Sequence, residues 1–172
     1  MRLDERDRPQ DGTERRSAPL EAALPSRHAP DEHNRELADP HDLQNQKVEQ
    51  EQEWDKLLGW ARRRYDVDFV TTSGLLHVAQ PPATVERLSH AVAALDSFRL
   101  AGLFPLVTIG GSMVAALAVL EKAIAPDEAW HAISIDERWQ LEQWGSDVEA
   151  ETALDNRRGD FLAAAKFLDL LD

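Results

Sequence analysis

The 172-residue chain has room for one ordinary domain, and 42% hydrophobic with 30% charged residues is a globular composition. It holds no cysteine, which removes disulfides, thiolate metal sites and a cysteine nucleophile, and fits a reducing compartment. Its net charge of −13 disfavours nucleic acid and anionic membrane surfaces as partners, because like charges repel.

Residues 1–36 contain Pro9, Pro19, Pro25 and Pro30 among many charges and show no sustained apolar period. Such a segment buries too little apolar surface to offset chain entropy, so it reads as a disordered tail, with room for a short helix at Pro19–Leu24. Met1–Gln10 lacks the apolar centre of a secretory signal, and a transit peptide would be poor in acids, so a bacterial cytoplasmic location is expected. Up to position 40 there are seven basic and ten acidic residues; the remainder has twelve against twenty-two.

The body, 37–172, reads as a single helical domain. The first helix is expected over about Asp42–Tyr65. Trp54, Leu57, Leu58 and Ala61 repeat at the three-and-four spacing of a buried stripe. Arg62, Arg63 and Arg64 suit the negative end of its dipole. Val67, Phe69 and Thr71 then alternate, with Ser73-Gly74 as a turn signal, which predicts a short β-hairpin near 67–79. Pro81-Pro82 opens a second helix over Ala83–Leu95, with Val85, Leu88, Val92 and Leu95 inward. Asp96-Ser97 caps a third, Phe98–Val107, disturbed by Pro105. A fourth is expected over Ile109–Ala125, where Gly110-Gly111 would let a neighbouring backbone approach.

Leu100–Leu120 has no charge and is long enough to span a bilayer. Pro105, the two glycines and the small residues Ala101, Gly102, Thr108 and Ser112 argue instead for core, and no membrane insertion is expected. A fifth helix opens at Pro126-Asp127-Glu128 and ends near Ile133. Ser134 and Glu137 have the spacing of a capping box for a sixth, running to about Asn156 with a bend at Gly145. A last helix, Gly159–Leu171, carries Phe161, Ala165, Leu168 and Leu171 on one side.

The residues offer little chemistry. The six histidines, His28, His33, His41, His77, His90 and His131, have no metal-ligand spacing. Gly110-Gly111-Ser112-Met113-Val114 falls short of a nucleophile elbow, since Val stands in the last position and no strand precedes it. No enzyme, cofactor or metal is expected. The unusual segment is Trp130–Trp144, which holds three of the five tryptophans. From Asp127 to Asp155 there are nine acids and one arginine. Leu141, Trp144, Val148 and Thr152 are read as an inward stripe, with Glu142, Ser146 and Glu149 on a neighbouring face. Aromatic anchors beside exposed carboxylates suit a protein interface; a Trp-rich core under a solvated acidic face is the other reading.

Asp136-Glu137-Arg138-Trp139-Gln140-Leu141-Glu142-Gln143-Trp144-Gly145 resembles a motif of the assembly chaperone for the catalytic head of F-type ATP synthase. The resemblance continues, in order, through Ala79-Gln80-Pro81-Pro82, Ala93-Ala94-Leu95-Asp96, Leu106-Val107-Thr108, Ala116–Leu120, Asp127-Glu128-Ala129-Trp130 and Asp160–Leu168. It is a resemblance to the family's C-terminal helical domain; residues 1–36 do not resemble the β-rich domain that precedes it there. Phe104-Pro105 stands where the family often has a His-Asp pair, and Ser146 where it has an acid.

The resemblance implies a chaperone that binds the free α subunit and shields its subunit-contact surface until β docks. No nucleotide, metal or cofactor is implied, and a monomer is expected. Under that function Glu142, Trp139, Trp144, Asp147 and Glu137 are the expected partner-binding residues. The alternative is a truncated or stand-alone acidic helical interaction domain with a different client or none.

Overall fold

The computed structural model describes residues 40–72, 78–144 and 148–171. The tail read from residues 1–36 lies outside them. Among the described residues there are seven helices and no strand. They are α1 (Pro40–Tyr65), α2 (Pro82–Ala93), α3 (Ser97–Gly110), α4 (Met113–Leu120), α5 (Pro126–Ile133), α6 (Ile135–Trp144) and α7 (Val148–Asp169).

α1 buries Trp54, Leu57, Leu58 and Ala61, the stripe its spacing predicts. It ends at Asp66, whose φ of 53° turns the chain. Val67 and Phe69 are then buried while Asp68 and Val70 are exposed, so an extended segment crosses the core. The expected hairpin is not formed by its described flanks, 67–72 and 78–80; the turn between them lies outside the described residues. A side chain takes the place of a strand partner. Val70 N–H donates to Gln80 Oε1 at 3.0 Å, and Gln80 Nε2 donates to the Val70 carbonyl at 2.9 Å. Thr84 Oγ1 donates to the Asp68 carbonyl at 2.6 Å and ties the start of α2 to the same segment. Leu88 is the deepest residue of the expected α2 stripe.

Asp96 caps α3 as expected, its carboxylate accepting from the backbone N–H groups of Phe98 (2.9 Å) and Arg99 (3.0 Å). The helix passes through Pro105 and continues to Gly110, beyond the expected end. Proline has no N–H for the Ala101 carbonyl, but Ala101 is exposed, so water can satisfy that group. The outer side of α3 leaves Phe98 (69%) and Phe104 (70%) exposed.

α4 begins later than expected. Gly111 adopts φ 67° and closes α3, and the Ser112 side chain accepts from Ala115 N–H at 3.2 Å. Met113–Val119 are buried on every side, against α1, α3, α5 and α7. The α4 half of the apolar run is therefore core, whereas Leu100, Ala101 and Phe104 in its α3 half are exposed; no described helix is long and apolar enough to cross a membrane. α4 ends at Leu120, short of the expected Ala125, and the chain turns at Lys122, which has φ 56°. Ala123 N–H reaches back to Ala118 O (2.8 Å) and Lys122 N–H to Val119 O (3.0 Å), the bonding of a Schellman turn with lysine where glycine is usual.

α5 has the bounds expected from Pro126 to Ile133 and buries Ala129, Trp130 and Ala132. The rest departs from expectation. The expected bend at Gly145 lies outside the described residues; α6 is described as far as Trp144, and α7 runs unbroken from Val148 through Gly159 to Asp169. Gly159 meets nothing that requires a break, and its cost of about 1 kcal/mol is small for a helix this long. The stripe Leu141, Trp144, Val148, Thr152 does not hold: Val148 is 75% exposed and Thr152 is exposed.

The expected capping box is also replaced. Ser134 Oγ donates to the Trp130 carbonyl at 2.7 Å, and Glu137 is taken by Arg157 at 2.7 Å. Of the expected stripe Phe161, Ala165, Leu168 and Leu171, the first three are buried and Leu171 is partly buried; α7 packs chiefly on α3. That contact depends on two glycines. A Cβ on Gly102 would lie 2.7 Å from Leu168 Cγ, and one on Gly110 would lie 2.9 Å from Ile133 Cδ1 and 3.0 Å from Phe161 Cε2. The sequence placed the close approach at Gly110-Gly111; the structure assigns it to Gly102 and Gly110, and gives Gly111 the turn.

Candidate protein-binding face

α6 packs on the N-terminal half of α1 and on α5. Its position is fixed by polar ties at its start. Gln46 Nε2 donates to Asp136 Oδ1 at 2.5 Å, and Arg138 Nη2 donates to the His131 carbonyl at 3.4 Å. Ile135 and Trp139 provide the buried side. Between α1 and α6 lies a polar depression of about 290 Å³, bounded by Asn45, Gln46, Glu49, Arg138, Glu142 and Gln143 over Ile135 and Trp139.

The residues singled out from the sequence fare differently. Glu142 is exposed and stands on the rim of this depression. Trp139 is only 8% exposed, so it belongs to the core and forms a wall of the depression. Glu137 is engaged with Arg157, whose guanidinium also donates to the Ile109 carbonyl at 3.3 Å and lies 5.9 Å from the Trp130 ring centroid. Glu137 thus ties α6 to α7. The Trp144 side chain and the whole of Asp147 lie outside the described residues.

The acidic run is less bare than its sequence suggests. Arg158 meets Asp127 at 2.6 Å, and Glu49 Oε1 lies 3.1 Å from His131 Nε2. The sequence reading missed Arg157 and Arg158, although they are the next basic residues after the run of acids. It also missed the part that Asn45, Gln46 and Glu49 of α1 play in forming the depression. Among the described residues, no cluster of His, Asp or Glu could hold a metal.

No protein-family model matches the chain. Solved structures do. Atp12 from Paracoccus denitrificans superposes with a TM-score of 0.71 at 33% identity, over 78% of this chain and 56% of its own. The helical body shares its fold with this ATP synthase assembly chaperone. A single-substitution variant of Atp12 matches with a TM-score of 0.71 at 32% identity over the same shares. A protein from Agrobacterium tumefaciens, described as a candidate chaperone, matches with a TM-score of 0.65 at 29% identity over 78% of this chain and 50% of its own. The chain thus spans about half the length of Atp12 and of the Agrobacterium protein. The matches are to Atp12 and to a candidate chaperone, in line with the family that the sequence resembles.

Proposed function

We propose that the chain is an assembly chaperone for the catalytic head of F-type ATP synthase, which holds the free α subunit and shields its subunit-contact surface until β docks. The observation that carries this reading is the shared fold with Atp12 at 33% identity over 78% of the chain. The face assigned to the client is the outer side of α6, with Glu142 at its centre. There an exposed carboxylate stands above a polar depression on a rigid helical base. Exposed charges contribute little to folding, yet a charge buried on binding is costly to leave without its partner, so this position separates the two roles. Shielding needs no chemical step, in keeping with a site formed of carboxylate, amide and guanidinium groups on helices.

The test is light scattering by isolated α subunit warmed in the absence of β. An equimolar amount of this chain is expected to suppress aggregation and to co-elute with the subunit. Undiminished aggregation with separate elution would refute the reading.

A further inference from the structure

A second depression, of about 630 Å³, runs along the other half of α1, facing α5 and the turn after α4. Its floor is apolar: Leu57 and Ala118 are buried, and Trp60 and Ile124 are partly buried. Its rim carries Glu53, Asp127 and Glu128 against Lys56, with His131 at one end. The two depressions are neighbours. Glu49 borders the polar one and His131 the apolar one, and these side chains touch at 3.1 Å. Gln46, Glu49, Glu53, Leu57 and Trp60 follow one another at three- and four-residue steps along one side of α1. From Gln46 to Trp60 this side is roughly 21 Å long, at about 1.5 Å per residue.

We infer that these depressions form one docking trough for a segment of a partner protein in which a large apolar side chain is flanked by Arg or Lys. The apolar end offers a desolvated seat for the anchor, with a tryptophan in its floor; a cleft of this size lies within the ~300–1,000 Å³ typical of occupied sites. The charge selects the flanking residues. Glu53 is bound to Lys56 and Asp127 to Arg158, both at 2.6 Å, whereas Glu128 and Glu142 have no ion-pair partner among the described residues. They border its two halves, Glu128 the apolar one and Glu142 the polar one. A cationic group beside each would complement them, and an acidic segment would be repelled.

The trough is independent of the client's identity, and the experiment keeps the two apart. The probe is a fluorescein-labelled synthetic peptide that alternates Phe and Arg, with one twin carrying Glu for Arg and another carrying Ser for Phe. Binding is read by anisotropy. Ala123 is exposed at the trough's edge, so Ala123→Phe fills the seat without changing charge. The Phe–Arg peptide should bind the native chain, and both twins should bind far more weakly. Ala123→Phe should weaken binding by roughly tenfold or more, and Glu128→Lys by several-fold, with circular dichroism unchanged in both. Failure of the peptide to bind, or equal binding to Ala123→Phe, would overturn the trough, since only diffuse attraction to an acidic chain would remain. Isolated α subunit provides the second arm. If the peptide docks and the subunit does not, the trough stands and the chaperone reading falls. If the subunit binds native chain and Ala123→Phe alike and the peptide binds neither, the reverse holds.

Discussion

Glu137 and Glu142 lie five residues apart on α6 and meet different surroundings. Glu137 is held by Arg157, which also donates to the Ile109 carbonyl and stacks near Trp130. Removing Arg157 therefore removes several modest contacts at once. A hydrogen bond is worth ~0.5–1.5 kcal/mol, a cation–π contact ~0.5–1 and an exposed ion pair ~0–1. Arg157→Ala is expected to lower stability by about 1–2 kcal/mol in urea unfolding, and a change near zero would show that the guanidinium is idle. Asp96 gives a pH-dependent case. The backbone N–H of Arg99 chiefly, with that of Phe98, holds its carboxyl below the usual carboxylate range. A depressed folded value means the contribution is present above the ordinary carboxylate pKa and is lost as pH falls through the folded one. Asp96→Ala should thus melt lower than the native chain at neutral pH, and the gap should close below about pH 4. A gap independent of pH would contradict the cap.

Helix ends and helix contacts explain where the sequence was legible. Trp54, Leu57, Leu58 and Ala61 announced α1 because period alone decides a buried stripe. Pro126 with two acids announced α5 for an equally local reason. The end of the inward stripe was not legible, because Val148 and Thr152 continue the period of Leu141 although both are exposed. Nor did spacing show that Ser134 would turn back to Trp130, or that Gln80 would pair with Val70; both depend on what lies across the fold. Of the candidate site, Glu142 was legible as exposed, whereas the burial of Trp139 and the α1 half of the depression needed the packing of α6 on α1.

Two predictions belong at this scale. Gly102→Ala adds helix propensity worth about 1 kcal/mol, but its Cβ would lie 2.7 Å from Leu168 Cγ. Overpacking costs ~1–3 kcal/mol, so a net loss in melting temperature is expected; a gain would mean α7 can withdraw. Lys122 holds a left-handed conformation that glycine adopts freely. Lys122→Gly should raise stability by about 0.5–1 kcal/mol in urea unfolding, and a clear loss would contradict the turn.

At the scale of the whole molecule, the arrangement is a buried α4 wrapped by amphipathic helices, with the charged residues kept to the outside. Leu117 lies at the centre of that core, and Leu117→Ala should cost ~2–5 kcal/mol by thermal or urea unfolding. In the proposed function such a body supports what α1, α5 and α6 display to the client. The central claim is that this display holds the α subunit through α6. Binding of isolated α subunit to immobilised native chain and to Glu142→Lys, with melting temperatures taken on the same samples, tests it most directly. The account predicts an unchanged melting temperature, because Glu142 is exposed, and loss of subunit binding in the variant. A variant that melts normally and still captures the subunit would contradict it.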